Sequence, residues 1–431
     1  MSPRVSSAPV FPPADLRDVD GESPETPGPA ARVLRPRRAA PADAVRPTRA
    51  EINLAHLRHN LRVLERAVAT SDAPRPQIWG VLKADAYGHG APAVARTLER
   101  AGIAGLCVAL LEEAVELRAA GIRTPILVMG GFYGLRRDGI EELLANDLTP
   151  VVYDAGQIER IAAFARFEAQ AEVKVHLKVD TGMGRLGVPA NELEGVLEVL
   201  ARHPEVRLDG LMTHFACADS PDLSATQEQL RAFAAIEQRA ARAGLSARVK
   251  HAANSAATLR LPGARFDIVR PGIALFGVSP FESSDDGVGA ARELKPVMRV
   301  RSEIVSLRAI ARGEAIGYGH TWRAERPSLV ATVPMGYADG LSRQLSNCGH
   351  ALVRGKRAPI AGAVSMDLTM LDVTDLPGAR IGDEAVFLGA QEGPLGRDAI
   401  TAGEVAGHVG GIAWEVLTSI SRRVPRFYRE P

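Results

Sequence analysis

Between about residues 77 and 272 the chain repeats one unit eight times, a short apolar run followed by a segment of helical spacing. The runs are Ile78–Ala84, Leu106–Leu110, Pro125–Gly130, Thr149–Tyr153, Val173–Asp180, Leu208–His214, Arg248–Asn254 and Asp267–Gly272. Between them, stretches such as Leu111–Gly121, Asn191–His203 and Ser224–Gly244 carry aliphatic residues at i, i+3 and i+4 and often end at glycine. Eight units of roughly 25 residues are the count of a (β/α)8 TIM barrel. A doubly wound open sheet, the alternative, usually needs fewer strands per domain. After about residue 285 strand-like runs of alternating polarity (Met298–Leu307, Leu329–Pro334, His350–Val353, Val364–Asp372, Glu384–Leu388) follow one another between Gly/Pro-rich turns. The expected architecture is therefore α/β: a barrel over residues 49–285 and a mainly β domain over 286–431. The strand-like Arg49–Leu54 fits either domain. Residues 1–48 hold ten of the 29 prolines and few aliphatic runs, so a disordered tail is expected there.

Composition removes several classes of function. Fifty-two basic side chains against 51 acidic ones leave no global field that calls for nucleic acid or a membrane surface. Cys107, Cys217 and Cys348 are too few and too scattered for a disulfide framework or a four-thiolate zinc site, and a reducing compartment is the simpler expectation. No apolar run approaches the ~18 residues of a membrane span, and the N-terminus has no secretory apolar core. The acids in the tail also argue against a mitochondrial presequence. Only Lys83, Lys174, Lys178, Lys250, Lys295 and Lys356 are lysine among the basic residues. A lysine amine forms imines and gives up its proton, which arginine does not, so a lysine kept inside an apolar run is a chemical candidate.

Barrel enzymes work at the C-terminal ends of the strands. In the fifth run Lys174, His176, Lys178 and Asp180 alternate with valines and a leucine, and share the face expected to point at the barrel axis. A buried salt-bridge ladder would explain that pattern as well as a functional site would. The other strand ends add Lys83, His214, Asn254, Ser255 and Arg270. Together they describe a cationic pocket able to hold a phosphate and a carbonyl. A desolvated lysine there becomes a nucleophile, a combination that suggests pyridoxal phosphate carried on lysine.

Gly182-Met-Gly-Arg-Leu-Gly187 matches the dinucleotide fingerprint and is followed by Asp209, so a dehydrogenase is a second reading. Against it, Asp180 would set its charge against a diphosphate, and Asp209 introduces a strand instead of ending one. A non-catalytic pyridoxal phosphate-binding protein is a third reading, although it would need no second domain with its own acid/base group. His56 and His59 lack a nearby third ligand, and no metal is expected.

The motifs taken together resemble the alanine racemase family, from about Ala50 to Tyr428. Val81-Leu-Lys-Ala-Asp-Ala-Tyr-Gly-His-Gly90 is similar to the segment with the cofactor lysine. Lys178-Val-Asp-Thr-Gly-Met-Gly-Arg-Leu-Gly187 is similar to the segment with a carbamylated lysine and the active-site arginine. Thr213-His-Phe-Ala, Asn254-Ser-Ala-Ala, Arg270-Pro-Gly-Ile, Gly317-Tyr-Gly-His-Thr, Gly336-Tyr-Ala-Asp-Gly and Ser365-Met-Asp follow in family order. The Glu-Pro-Gly-Arg and Ser-Cys-Asp motifs of the fold-related decarboxylases are missing.

The resemblance implies an isomerase that interconverts L-alanine and D-alanine with pyridoxal 5'-phosphate, in a cytoplasmic homodimer with shared active sites, supplying D-alanine for peptidoglycan. It implies Lys83 as cofactor lysine and one acid/base, with Tyr318 from a partner subunit as the other. His214 and Arg270 would link the tyrosine to the ring, Arg270 pairing with a pyridine nitrogen that stays unprotonated. Tyr87, Asn254, Ser255, Gly272 and Ile273 would hold the cofactor, while Arg185, Met366 and Tyr337 would meet the substrate. Lys178 would carry a carbamate that orients Arg185. Two departures stand out: Arg422 replaces an inner-gate tyrosine of some members, and Trp414 stands where a tyrosine is common. A broad-specificity amino-acid racemase of the same fold is the alternative.

Overall fold

The computed structural model describes residues 45–69, 75–132, 139–168, 172–281 and 288–430. Eight parallel strands form its first sheet: Gln77–Val81, Gly105–Val108, Ile126–Val128, Thr149–Val152, Val173–Lys178, Val206–Met212, Val249–His251 and Ile268–Val269. Each pairs with the next up to the seventh, and the eighth pairs with the first through Gln77↔Ile268. At the remaining seam Asp267 N–H reaches Lys250 O (3.1 Å) and Arg270 N–H reaches Ala253 O (2.9 Å), which nearly closes the barrel. Such strands are covered on both faces, so they read as continuous apolar runs. Leu106, Cys107 and Val108 are all fully buried. Helices such as Leu111–Ala119, Ala155–Phe167 and Leu193–Arg202 run outside, as their spacing predicts. Asp154 starts the second of these by accepting the Gln157 N–H at 2.8 Å.

The C-terminal part is mainly β. One sheet orders Lys356–Pro359, His350–Val353, Glu384–Gly393, Met298–Glu303, Arg49–Asn53 and Arg426–Arg429, with Gly396–Ile400 on the long third strand. A second joins Ser306–Ile310, Ser328–Val333 and Thr369–Asp372. Helices Ala402–Val409 and Ala413–Ser419 follow.

Two expectations about the start of the chain differ from this picture. Arg49–Asn53 belongs to the β sheet and not to the barrel, antiparallel to Met298–Glu303 and parallel to Arg426–Arg429. Its Glu51 carboxylate is buried among Arg299 and Arg301 of the neighbouring strand and Arg429 of the last one, which ties Arg49–Asn53 to this sheet. Most of the expected tail lies outside the described residues. Its last residues are packed, however: Thr48 is fully buried, and Arg46 grips the buried Asp339 carboxylate through two hydrogen bonds of 2.7 and 2.9 Å.

Candidate active site

Lys83 follows the first barrel strand and opens a turn that ordinary residues avoid. Ala84, Asp85, Ala86 and Tyr87 all have φ between 53° and 55°, a complete left-handed turn without a glycine. That conformation costs an L-residue about 1–2 kcal/mol, so four in a row need outside support. Glu113 supplies part of it, accepting from Ala84 N–H (2.6 Å) while also holding the Ala109 and Leu110 amides. The buried His89 ring bonds the Ala86 and Tyr87 carbonyls, and Arg426 of the last strand donates to Gly88 O at 2.9 Å. A side chain at Gly88 or Gly90 would collide with Leu417 O or the Tyr428 hydroxyl. The C-terminal segment therefore braces the lysine turn, and it does so within one chain.

The turn aims Lys83 and Tyr87 into a cavity of about 690 Å³ at the C-terminal ends of the strands. Lys178, Arg185, His214, Asn254, Ser255, Arg270, Gly272 and Ile273 line the same cavity, with Trp414 and Ile412 from the C-terminal helix. Burial, then the nearby Arg185, lowers the Lys83 pKa against the opposing pull of Glu113. Burial and the charges of Arg185 and Arg270 bring Lys178 down to about 8. None of the described residues accepts a hydrogen bond from its Nζ. Burial, with Arg270 next in weight, pushes His214 down to about 3, so its imidazole is neutral. Arg270 is 3% exposed and is fixed by Thr213 O (2.8 Å), His251 Nδ1 (2.7 Å) and the longer contact to His214 Nδ1 (3.4 Å). Among the described residues none takes its Nε–H.

At the far side Ser255 Oγ accepts from Gly272 N–H (2.9 Å) and Ala274 N–H (3.3 Å), and the Ile273 N–H between them has no acceptor among the described residues. A Cβ on Gly272 would run into the Tyr87 hydroxyl. Asn254 lines the cavity but spends its side chain on capping the helix Ser255–Arg260. Ser255, Tyr87 and this bare backbone make a small polar cradle in the same cavity as Lys83, of the kind an anion occupies.

Not every residue singled out in the sequence meets here. Lys174 is exposed, because it lies near the start of its strand, at the end of the barrel opposite Lys178. His176 is buried in the barrel interior against His251 and does not reach the cavity. Tyr318, Met366 and Tyr337 do not line it either; they are 74%, 51% and 42% exposed on the β domain. Arg422 is exposed and also lies outside the lining. In the Gly182–Gly187 loop the Asp180 carboxylate itself accepts the Gly182, Met183 and Gly184 amides. Those donors are spent, which removes the dinucleotide reading. Glu113 and His89 were missed from the sequence, although Glu113 three residues after Leu110 is a helix-start signal.

Residues 52–280 match the family profile of the alanine racemase N-terminal domain, and residues 297–428 that of the C-terminal domain. The chain belongs to the alanine racemase family. Among family relatives, the alanine racemase of Sorangium cellulosum (strain So ce56) is 74% identical over 387 residues, covering 90% of this chain and all of the relative. Alanine racemase 2 of Caldanaerobacter subterraneus subsp. tengcongensis is 41% identical, covering 90% and 96%. The crystal structure of the family member from Streptomyces lavendulae superposes with a TM-score of 0.81 at 36% identity, covering 90% of this chain and 98% of that one. The Bacillus anthracis alanine racemase with bound L-Ala-P gives 0.81 at 34% identity, covering 90% and 96%.

Proposed function

We propose that this chain racemises alanine with pyridoxal 5'-phosphate, working as a homodimer in which each site draws on both copies. The observation that carries the reading is the cavity itself: a desolvated lysine on a braced turn shares it with a polar cradle and with a buried guanidinium whose Nε–H has no acceptor among the described residues. The cofactor fits these groups. Ser255, Tyr87 and the Ile273 N–H would take its phosphate, Gly272 gives the room, Arg270 would face the ring nitrogen, and Asn254 shapes the wall by capping its helix. When bound, the cofactor supplies an electron sink that makes the substrate's α-proton removable.

Racemisation then needs one group on each side of a planar centre. Lys83 takes or returns the proton on one face through its Nζ. The partner's Tyr318 does so on the other through its hydroxyl, which the exposure of that side chain in a single copy supports. The neutral His214, accepting from Arg270 at Nδ1, carries its proton on Nε2 and can hydrogen-bond outward to that phenol. Arg185 receives the substrate carboxylate together with the Met366 N–H of the partner subunit, and the partner's Tyr337 narrows the entrance. The domain limits proposed are a barrel to about residue 285 and a β domain from 286, to which Arg49–Asn53 adds a strand. Cytoplasmic D-alanine supply for peptidoglycan is the role proposed. It agrees with three free cysteines, and no described helix is long and apolar enough to cross a membrane.

The deciding experiment is D-amino acid formation from a panel of L-amino acids by protein incubated with the cofactor. Alanine is expected to dominate. A flat profile would favour a broad-specificity racemase, and no turnover of any member would sink the reading. Two residue-level outcomes go with it. Gly272→Ala is expected to displace Tyr87 and weaken cofactor affinity about tenfold or more, measured by titrating the cofactor-free protein. Lys178, a buried amine without an acceptor among the described residues, is expected to bind carbon dioxide as a carbamate that orients Arg185. ¹³C-labelled bicarbonate should give a carbamate resonance in the folded protein that Lys178→Arg abolishes, and a resonance that is absent from the wild type or persists in the variant would refute it.

A further inference from the structure

The interior of a (β/α)8 barrel is ordinarily filled with branched apolar side chains. Here it contains a line of polar groups that runs from the cavity towards the barrel floor. Arg270 Nη1 lies 2.7 Å from His251 Nδ1, and His251 Nε2 lies 2.8 Å from His176 Nδ1. His176 Nε2 faces the Asp209 carboxylate at 3.9 Å. Arg248 and Arg207 hold that carboxylate in turn, at 2.9–3.0 Å. Both imidazoles are at most 1% exposed.

The chemistry of the guanidinium fixes every proton along the line. Arginine only donates, so His251 Nδ1 must accept, and a neutral His251 then carries its proton on Nε2. That proton points at His176 Nδ1, which must accept as well, so His176 also carries its proton on Nε2, facing Asp209. Each donor points away from Arg270 and towards the carboxylate. A reversed line would need a guanidinium that accepts, which does not exist.

Two further observations indicate that the line is built and not incidental. The strand beside His176 carries Gly210, where a Cβ would come within 2.6 Å of the imidazole, and the ladder between these strands slips register at Val175/His176. Arg270, by contrast, is a buried cation with no carboxylate partner among the described residues. Two aligned hydrogen bonds, with the Asp209 carboxylate 3.9 Å beyond the last ring nitrogen, polarise the near imidazole towards the guanidinium, and so stabilise the cation without placing an anion next to it.

We propose that His251 and His176 are positioning residues, a one-way hydrogen-bond relay from Arg270 to His176, oriented by the Asp209 charge beyond it, that fixes the guanidinium's plane and charge where it would meet the cofactor's ring. The inference rests on the reading of the chain as a pyridoxal phosphate racemase. The guanidinium is pinned at Nη1 by His251 and at Nη2 by Thr213 O and Ala252 O, and its Nε–H, without an acceptor among the described residues, would be available to the ring. Losing the His251 contact would free the group to rotate about its last bonds.

Asparagine and leucine share the same branched side-chain skeleton, but only asparagine keeps an acceptor near the Nδ1 position. His176→Leu is therefore expected to lower the holoenzyme's kcat about tenfold, and cofactor affinity by a similar factor, because a buried donor on His251 loses its acceptor. KM for alanine should stay within about twofold, since the carboxylate-binding groups are untouched. His176→Asn should keep kcat and cofactor affinity within about threefold of wild type. Neutron diffraction from holoenzyme crystals exchanged into heavy water should show deuterium on Nε2, and not Nδ1, of both His251 and His176. Equal losses in the two variants, or a lower Tm with unchanged kcat and cofactor affinity, would reduce the line to core packing and overturn the relay. Deuterium on Nδ1 of either ring would also overturn it. If the leucine variant does not fold, the deuterium positions decide by themselves. A wild-type protein that neither binds the cofactor nor racemises would sink the functional reading instead, and the two failures are thus distinguishable.

Discussion

Replacing Lys83 by alanine is expected to lower alanine racemisation by at least about 10³-fold, the scale lost when a positioned acid/base that also anchors a cofactor is removed. The size of the effect follows from the setting of the amine. Burial and the Arg185 charge lower its proton affinity, so a larger share of neutral amine is present near neutral pH than on a surface lysine. No other lysine can take over. Lys178 shares the cavity but leaves from a different strand, and the remaining four lie outside the lining. The fold should survive, because the left-handed turn is held by Glu113, His89 and Arg426 and not by the Lys83 side chain. An unchanged Tm together with lost activity is therefore the expected pair. Borohydride reduction of the cofactor-loaded wild type should fix the label on the peptide containing Lys83, and the variant should take up none. A Lys83→Ala protein that racemises at undiminished rate would remove the lysine from the mechanism.

The parts of this site that were legible in the sequence are those governed by local pattern. Eight apolar runs with helical segments between them specify a barrel, since each run must be buried on both faces. The strand-end rule then brings Lys83, Lys178, His214, Ser255 and Arg270 to one mouth, where all five line the cavity. What stayed hidden depends on distant partners. Lys-Ala-Asp-Ala-Tyr contains good helix formers, and only contacts from Glu113, His89 and the chain's last strand force it into the left-handed region. Arg49–Asn53 reads as a strand, but its neighbours come from residues 298–303 and 426–429, which no nearby pattern specifies. Period-two alternation correctly separated His176 and Lys178 from the valines, yet did not tell barrel floor from barrel mouth, so Lys174 was grouped with them. His251 shares the parity of Val249 and Ala253 within Arg248–Asn254, opposite Lys250, so the same alternation does not mark it. The exposed Tyr318, Met366 and Tyr337 came from the family resemblance alone, because one copy of the chain gives them nothing to face.

That exposure leads to the second large effect. Tyr318→Phe is expected to lower racemisation about 10²–10⁴-fold, since removing the hydroxyl leaves one face of the substrate without a proton donor or acceptor. The variant should still bind the cofactor, because none of the cradle residues belongs to the β domain's exposed loop. Mixing separates a shared site from a self-contained one. If each site pairs Lys83 of one copy with Tyr318 of the other, a heterodimer of Lys83→Ala with Tyr318→Phe holds one site with both defects and one with none. Random reassociation at equal amounts makes half the dimers mixed, so activity should return to about a quarter of wild type from two nearly inactive proteins. If both groups came from the same copy, every site in the mixture would lack one of them and no activity would return. Recovery that needs dissociation and reassociation of the variants, and that is absent when they are combined without it, would place the two proton-transfer groups on different polypeptides.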